Sequence, residues 1–216
     1  MQIQHLLTFG DSWPSGEELS DPTESFPVLV SKYLDVKLTN LSEPASSIDQ
    51  ALYKLLNVTN IEWDKTLVLF CLTGISRSMY GNDEFHQLHP AATTPQATAY
   101  YKYIHSNKLD QFNRIRNILS AQQYCQTQGG QILFVSNWDK IPKHSAIDQS
   151  LFYNKTLTQI LNIHQRFDSP NTDWGYVRKH EYITPSLWHP NAIGHGVIAK
   201  ELSNWIKEKL NDKSVS

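Results

Sequence analysis

The chain has 216 residues, of which 19 are basic, 21 are acidic and 40% are hydrophobic, so its formal net charge is -2. It is long enough to bury a sizeable core, and we expect one domain over residues 1–210 followed by a disordered tail at 211–216. No run of lysines or arginines occurs, so the sequence gives no electrostatic support for a nucleic-acid or anionic-membrane partner, and a small molecule is the expected partner.

The two cysteines and the first residues bear on the compartment of the protein. Cys71 lies in an apolar run and Cys125 in a helical stretch, and two cysteines in a chain of this size do not indicate a disulfide framework. The start, MQIQHLLTFGDS, lacks a basic region followed by a long apolar core. No stretch approaches the roughly 18 apolar residues of a membrane helix. We therefore expect two reduced core cysteines in a cytoplasmic protein.

Short apolar runs alternate along the chain with longer segments of helical spacing. Four runs have the length and composition of strands, at 3–9, 36–42, 66–73 and 131–137. Helical periodicity occurs at 25–34, 47–56, about 98–128 and 193–210. The runs TLVLFCLT and QILFVS are nearly continuous in apolar residues, which is typical of strands buried on both faces of a parallel sheet. The pattern predicts an α/β fold, with a doubly wound parallel sheet in three α/β/α layers.

Ser12 directly follows the first predicted strand, in the segment FGDSWPSGEEL. In open α/β sheets, functional sites form at the carboxyl ends of the strands, so Ser12 lies where a nucleophile would be expected. Asp11 is interpreted as a carboxylate that stabilises the turn. A serine hydroxyl is a weak nucleophile on its own and needs a base within hydrogen-bond reach.

Among the nine histidines, His189 has the most informative surroundings, SLWHPNAIGH, just before the last predicted helix. Pro190 fixes a loop at the helix entrance, and Asn191 is a plausible helix cap. His195 lies in the first turn of that helix, where a packing or capping role is the commoner one. His189 is therefore the candidate base.

The segment FGDS near the amino terminus, together with HPNAIGHGVIAKEL near the carboxyl terminus, resembles the SGNH hydrolase family, also called GDSL esterases and lipases. The resemblance extends over nearly the whole chain and implies a flavodoxin-like parallel sheet and no cofactor. It implies that Ser12 is the nucleophile and also an oxyanion donor through its backbone N–H. It implies that His189 is the general base, which later protonates the leaving alcohol.

The remaining oxyanion donors of the family are matched less well. In the stretch PASS, Ala45 occupies the place of a family glycine, and a backbone donor survives the change if the local φ does not demand glycine. The family supplies an Asn side chain after the third strand, where this chain has Thr73. We prefer Thr73 as the third donor, with Asn82 in YGND as the alternative.

The acid of the triad is also altered, because relatives carry Asp three residues before the histidine and this chain has Ser186. Three alternatives follow: a Ser–His dyad with Ser186 beside the imidazole, an acid from elsewhere such as Asp173 or Glu181, or a protein that no longer catalyses. If no other acid reaches His189, Ser186→Asp is expected to accelerate ester cleavage.

The expected function is hydrolysis of a carboxylic ester, either a short acyl ester or a carbohydrate O-acetyl group, through an acyl-enzyme on Ser12. Trp13, Trp188 and Arg77 are candidate substrate-binding residues, although each also has an ordinary structural role. No metal site is expected, since the histidine pair at 86 and 89 lacks a third ligand. The alternatives are an inactive carbohydrate-binding or structural module and an acyltransferase.

Overall fold

The computed structural model describes residues 2–81, 86–163, 181–184 and 189–212. These ranges contain six β-strands. In chain order the strands are β1 His5–Phe9, β2 Lys37–Asn40, β3 Thr66–Leu72, β4 Ser78–Tyr80, β5 His86–Leu88 and β6 Gln131–Ser136.

The same ranges contain seven α-helices and three short 3₁₀ helices. The α-helices are α1 Ser12–Ser15, α2 Phe26–Leu34, α3 Ile48–Leu56, α4 Pro95–Tyr103, α5 Asn107–Thr127, α6 Leu157–Ile160 and α7 Ala192–Asp212. The 3₁₀ helices are Pro22–Glu24, Trp63–Lys65 and Gln149–Leu151.

Four strands form one parallel sheet in the order β2-β1-β3-β6, and β4 pairs with β5 in a separate antiparallel hairpin. All four sheet strands fall within the runs that the sequence predicts. The order is that of a doubly wound sheet, with β1 and β3 at the centre. The predicted α/β class and parallel sheet are confirmed.

The central strand β3 shows why the sheet is covered on both faces. All seven of its residues are buried. Alternate side chains belong to two different hydrophobic clusters, with Leu67 and Leu69 in one and Val68 and Phe70 in the other. The first cluster includes residues of α2 and α7, and the second includes residues of α3 and α5. Because successive side chains of a strand point to opposite faces, a continuous apolar strand requires helices on both sides.

Two of the predicted segments, the long helix and the carboxyl-terminal tail, differ from the structure. The segment predicted as one helix at 98–128 is two helices, because the N–H groups of Ile104 and His105 both donate to the Tyr100 carbonyl and Ser106 caps a new helix. At the other end, α7 continues to Asp212, so the first two residues of the predicted tail are helical.

Both cysteines are buried and free, as predicted. No helix in the described ranges combines the length and the apolar character needed to cross a membrane.

Candidate active site

The turn that carries Ser12 is closely packed beneath its backbone. A Cβ on Gly10 would lie 2.5 Å from Pro14 Cγ and 2.8 Å from the Cys71 side chain, so only glycine fits at this position. Ser12 then begins the single turn of α1, with Asp11 as its N-cap. Ser12 itself is 6% exposed. Ser12 therefore lies at the carboxyl edge of β1, as the sequence predicts.

Asp11 is the centre of a buried polar network. Its carboxylate accepts hydrogen bonds from the Trp13 N–H at 3.2 Å and the Asn137 side-chain amide at 2.7 Å, and it pairs with Arg77 Nη1 at 2.8 Å. Burial raises the pKa of Asp11, whereas Arg77 and the two hydrogen bonds oppose that rise. Asp11 thus joins the ends of β1, β3 and β6 to one another. Asn137, which follows β6 directly, has no distinctive motif in the sequence and was not predicted.

Ala45 lies in the loop that follows β2, and its φ is 61°. This is the left-handed region, which glycine adopts without cost and alanine adopts with strain. The loop stays close to β1, since the Glu43 N–H donates to the Gly10 carbonyl at 3.0 Å. The backbone conformation therefore favours the glycine that the resemblance implies at this position.

Thr73 follows β3 directly and is 1% exposed. Its hydroxyl is buried and finds no hydrogen-bond partner within the described ranges. The alternative, Asn82, lies outside the described residues.

His189 is held at the entrance to α7 by backbone hydrogen bonds. Its carbonyl accepts from the Thr184 N–H at 2.8 Å, and Pro190 pairs with Ile183 in a short antiparallel bridge. Asn191 caps the helix, since its side chain accepts from the Gly194 N–H at 2.9 Å. The Asn191 cap agrees with the prediction.

The ring of His189 faces a carboxylate that the sequence did not indicate. His189 Nδ1 lies 3.1 Å from Glu18 Oε2, and the Thr184 hydroxyl donates to the same oxygen. Glu18 is six residues beyond Ser12, so the contact brings His189 to the segment that carries the predicted nucleophile. The positive charge that His189 would carry also lowers the pKa of Asp11, which means that these two groups lie within electrostatic range. The hydrogen bonds of His189 within the described ranges do not include one to the Ser12 hydroxyl, and a catalytic hydrogen bond of this kind often tightens only when substrate is bound.

Of the acids named from the sequence, Glu181 lies within the described ranges. Glu181 is exposed; its carbonyl accepts from the Asn191 side chain at 2.6 Å, and its carboxylate raises the pKa of the Tyr182 hydroxyl. Ser186 and Asp173 lie outside the described residues. Since Glu18 already occupies the Nδ1 side of His189, the condition for an accelerating Ser186→Asp substitution is not met. Nothing in the local pattern GEEL distinguishes Glu18 from an ordinary surface glutamate.

The candidate substrate-binding residues differ in exposure. Trp13 is only 2% exposed and belongs to the hydrophobic cluster that includes α2 and α7, so its ring is a core element rather than an open platform. Trp138 follows β6 and is half-buried. Its ring packs edge-on against the Trp13 ring with 5.9 Å between the ring centres, and the Arg77 guanidinium lies 5.4 Å from the centre of the Trp138 ring. Trp138 is an aromatic residue of this edge that sequence reasoning missed. Trp188 lies outside the described residues.

His195 packs inside the protein. It is fully buried, and its Nδ1 accepts from the Phe26 N–H at 3.1 Å. Burial lowers its pKa to about 3, so the imidazole is neutral. This is the packing role that the sequence favours. The described residues contain no group of three or more His, Cys, Asp or Glu side chains that could hold a metal ion.

Comparison with known proteins gives a match in fold. No protein-family model matches the chain, and no curated protein matches it. The psychrotrophic esterase EstA from Pseudoalteromonas sp. shares 15% identity at a TM-score of 0.53, over 96% of this chain and 99% of that chain. The acetyl xylan esterase Est2A from the rumen bacterium Butyrivibrio proteoclasticus shares 12% identity at a TM-score of 0.53, over 98% of this chain and 65% of that chain.

A carbohydrate esterase whose active site has divergent catalytic and non-catalytic binding functions shares 14% identity at a TM-score of 0.53. That match covers 96% of this chain and 66% of the esterase, so this chain spans about two thirds of both carbohydrate-active proteins. The chain has the fold of these esterases, which agrees with the α/β fold class predicted from the sequence.

Proposed function

We propose that this chain is an SGNH-type esterase that cleaves a carboxylic ester through an acyl-enzyme on Ser12. The observation that carries the proposal is the 3.1 Å contact between His189 and Glu18, because it joins the carboxyl-terminal histidine to the segment that begins with Ser12. A serine and a histidine at the same edge of a parallel sheet are the two groups that nucleophilic ester cleavage needs.

In the first half of the reaction, His189 Nε2 takes the proton of the Ser12 hydroxyl while Ser12 Oγ forms a bond to the ester carbonyl carbon. The electron pair of the carbonyl moves onto its oxygen. When the tetrahedral intermediate collapses, the bond to the alcohol oxygen breaks, and the proton on Nε2 passes to that oxygen. Water repeats the same steps on the acyl-enzyme, releasing the acid and restoring Ser12.

The developing oxyanion needs donors that are already in place. The backbone N–H groups of Ser12 and Ala45 are the proposed donors, and the left-handed conformation of Ala45 supports the match to the glycine of the family. Thr73 is the proposed third donor, since its hydroxyl is buried without a partner among the described residues.

The substrates to test are short acyl esters and O-acetylated carbohydrates. Structures with this fold include an esterase inhibited by monoethylphosphonate and an acetyl xylan esterase, which motivates both choices. Trp138 and Arg77 line the same strand edge and are proposed to contact the substrate, with Arg77 neutralised by Asp11 and therefore not selecting for an anionic ester.

The test combines p-nitrophenyl esters of increasing acyl length with a serine-directed phosphonate probe. We expect the probe to label Ser12 and esterase activity to disappear in Ser12→Ala, with unchanged thermal unfolding. Ser20→Ala, which removes an exposed serine of the same segment, is the matched control and should keep full activity. Absence of both labelling and turnover in the wild type would contradict the proposal and favour a binding module. Products that contain an added alcohol acceptor would instead identify an acyltransferase.

A further inference from the structure

Glu18 has the contacts of a residue that acts on His189. The Glu18 side chain is 15% exposed and the His189 side chain is 13% exposed, so the pair is largely removed from solvent. Thr184 donates its hydroxyl to Glu18 Oε2 and its backbone N–H to the His189 carbonyl, at 2.8 Å for the backbone bond. One residue therefore holds both partners.

The backbone fixes Glu18 relative to Ser12. Gly16 ends α1 in the left-handed conformation, with φ of 80°, and the Glu17 N–H donates back to the Ser12 carbonyl at 3.1 Å. Glu18 itself has a φ of 68°, which costs about 1 kcal/mol for a residue that is not glycine. A strained glutamate with an engaged carboxylate indicates that the surrounding contacts outweigh the strain. Because the turn is short and closed by hydrogen bonds, it fixes the backbone of Glu18 relative to that of Ser12.

The hydrogen-bond pattern also determines which ring nitrogen is the base. Glu18 Oε2 faces two donors, the Thr184 hydroxyl and His189 Nδ1, and an ionised carboxylate only accepts. In neutral His189 the proton is therefore on Nδ1, and Nε2 carries the free electron pair. That tautomer is the one that can take the proton of Ser12.

We propose that Glu18 is the positioning acid of His189. Relatives carry this acid close to the histidine in the sequence, whereas here the segment that contains Ser12 supplies it. The inference rests on the proposed function and adds the group that orients the base. Glu18 does not take a proton during the reaction. It holds Nδ1–H, and it stabilises the imidazolium that forms at His189 when Nε2 accepts the proton from Ser12.

The test uses Glu18→Ala and Glu18→Gln, with Glu17→Gln as the matched control. Glu17 has the same charge in the same turn, and none of the described contacts of its side chain reaches His189. We expect the rate of phosphonate labelling at Ser12, and kcat/KM for a p-nitrophenyl ester, to fall about 10²–10⁴-fold in both Glu18 variants. Glu17→Gln should retain the wild-type rates.

A purely structural tether would not change the proton on the imidazole, so two further measurements separate the roles. Proton NMR of the wild type should show a far-downfield Nδ1–H resonance that is lost in Glu18→Ala and kept in Glu17→Gln. Added formate should partly restore the rate of Glu18→Ala, because a small carboxylate can occupy the vacated position. Thr184→Val should lower the rate less than Glu18→Ala does. The double variant should be little slower than Glu18→Ala alone, since Thr184 acts through Glu18.

The outcomes for the two proposals are distinguishable. If Ser12 is labelled at the same rate in the wild type and in folded Glu18→Gln, the inference fails while the proposed esterase stands. If the wild type is not labelled at all, the proposed function fails, and the Nδ1–H resonance still tests the Glu18–His189 pair. A resonance that persists unchanged in Glu18→Ala would overturn the assignment of Glu18.

Discussion

At the scale of single residues, two residues other than glycine adopt the left-handed conformation in the loops that form the site. Ala45 and Glu18 both have positive φ, at 61° and 68°. The Glu18 carboxylate has hydrogen-bond partners that offset the strain of its backbone, whereas the methyl group of Ala45 cannot form a hydrogen bond. Strain at such positions persists where the surrounding structure determines the backbone.

Ala45→Gly should therefore stabilise the protein, by up to about 1 kcal/mol, because glycine adopts this φ without steric cost. Urea unfolding of the two proteins measures the difference. Ala99→Gly is the matched control, since Ala99 is exposed within α4 and glycine there should destabilise by about 1 kcal/mol. Destabilisation by both substitutions would show that Ala45 is not strained.

At the scale of elements, the junction between α4 and α5 shows how one polar side chain divides a helical pattern. Ser106 accepts a hydrogen bond from the Leu109 N–H at 3.2 Å and thereby begins α5. The preceding residues, Ile104 and His105, close α4 instead of continuing it. The apolar periodicity on either side of Ser106 is compatible with one long helix, but the Ser106 cap begins a second helix at this point.

Ser106→Ala should destabilise the protein by about 1 kcal/mol, since it removes the N-cap of a 21-residue helix. Ser106 is exposed, so no packing is lost with the hydroxyl. Ser106→Asp keeps an acceptor at the same position and should retain the wild-type midpoint in urea. Equal midpoints for the alanine and aspartate variants would contradict the capping role.

At the scale of the whole molecule, α2 and α7 cover one face of the sheet and are joined through His195. The imidazole on α7 accepts the Phe26 N–H at the start of α2, and its ring stacks on Phe26 at 5.8 Å. The neutral form is required, because a protonated Nδ1 could not accept this bond. The docking of two helices therefore depends on the protonation state of one buried side chain.

Acid should destabilise the fold through His195. The unfolded chain binds a proton at the ordinary imidazole value of about 6.5, whereas burial lowers the pKa of His195 in the folded protein to about 3. The contribution of neutral His195 to the free energy of unfolding is therefore fully present above about pH 6.5. It is lost as the pH falls toward about 3, at up to about 1.4 kcal/mol per pH unit.

Urea unfolding at several pH values measures this slope. His195→Gln cannot titrate, and its stability should fall less steeply with acid, even if it is lower at neutral pH. His144→Gln, which replaces an exposed histidine, should leave the wild-type slope unchanged. An unaltered slope in His195→Gln would show that other groups control the acid response.

The sequence alone was sufficient for the fold class and for the positions of Ser12 and His189. Strand β3 is apolar throughout, and that local pattern already requires a sheet covered on both faces. The segments around Ser12 and Asn191 likewise carry their own signals, because a turn after a strand and a cap before a helix depend on neighbouring residues.

Only the tertiary structure decided which side chains meet. Glu18 and His189 are 171 positions apart, Asp11 and Asn137 are 126 apart, and Asp11 and Arg77 are 66 apart. Periodicity records which face of an element is buried, which is a local property of the chain. Which polar side chains meet depends on the paths of loops that follow different strands. No local sequence pattern contains information about those paths. The sequence therefore predicts no carboxylate from the Ser12 segment beside His189, although the fold brings Glu18 from that segment.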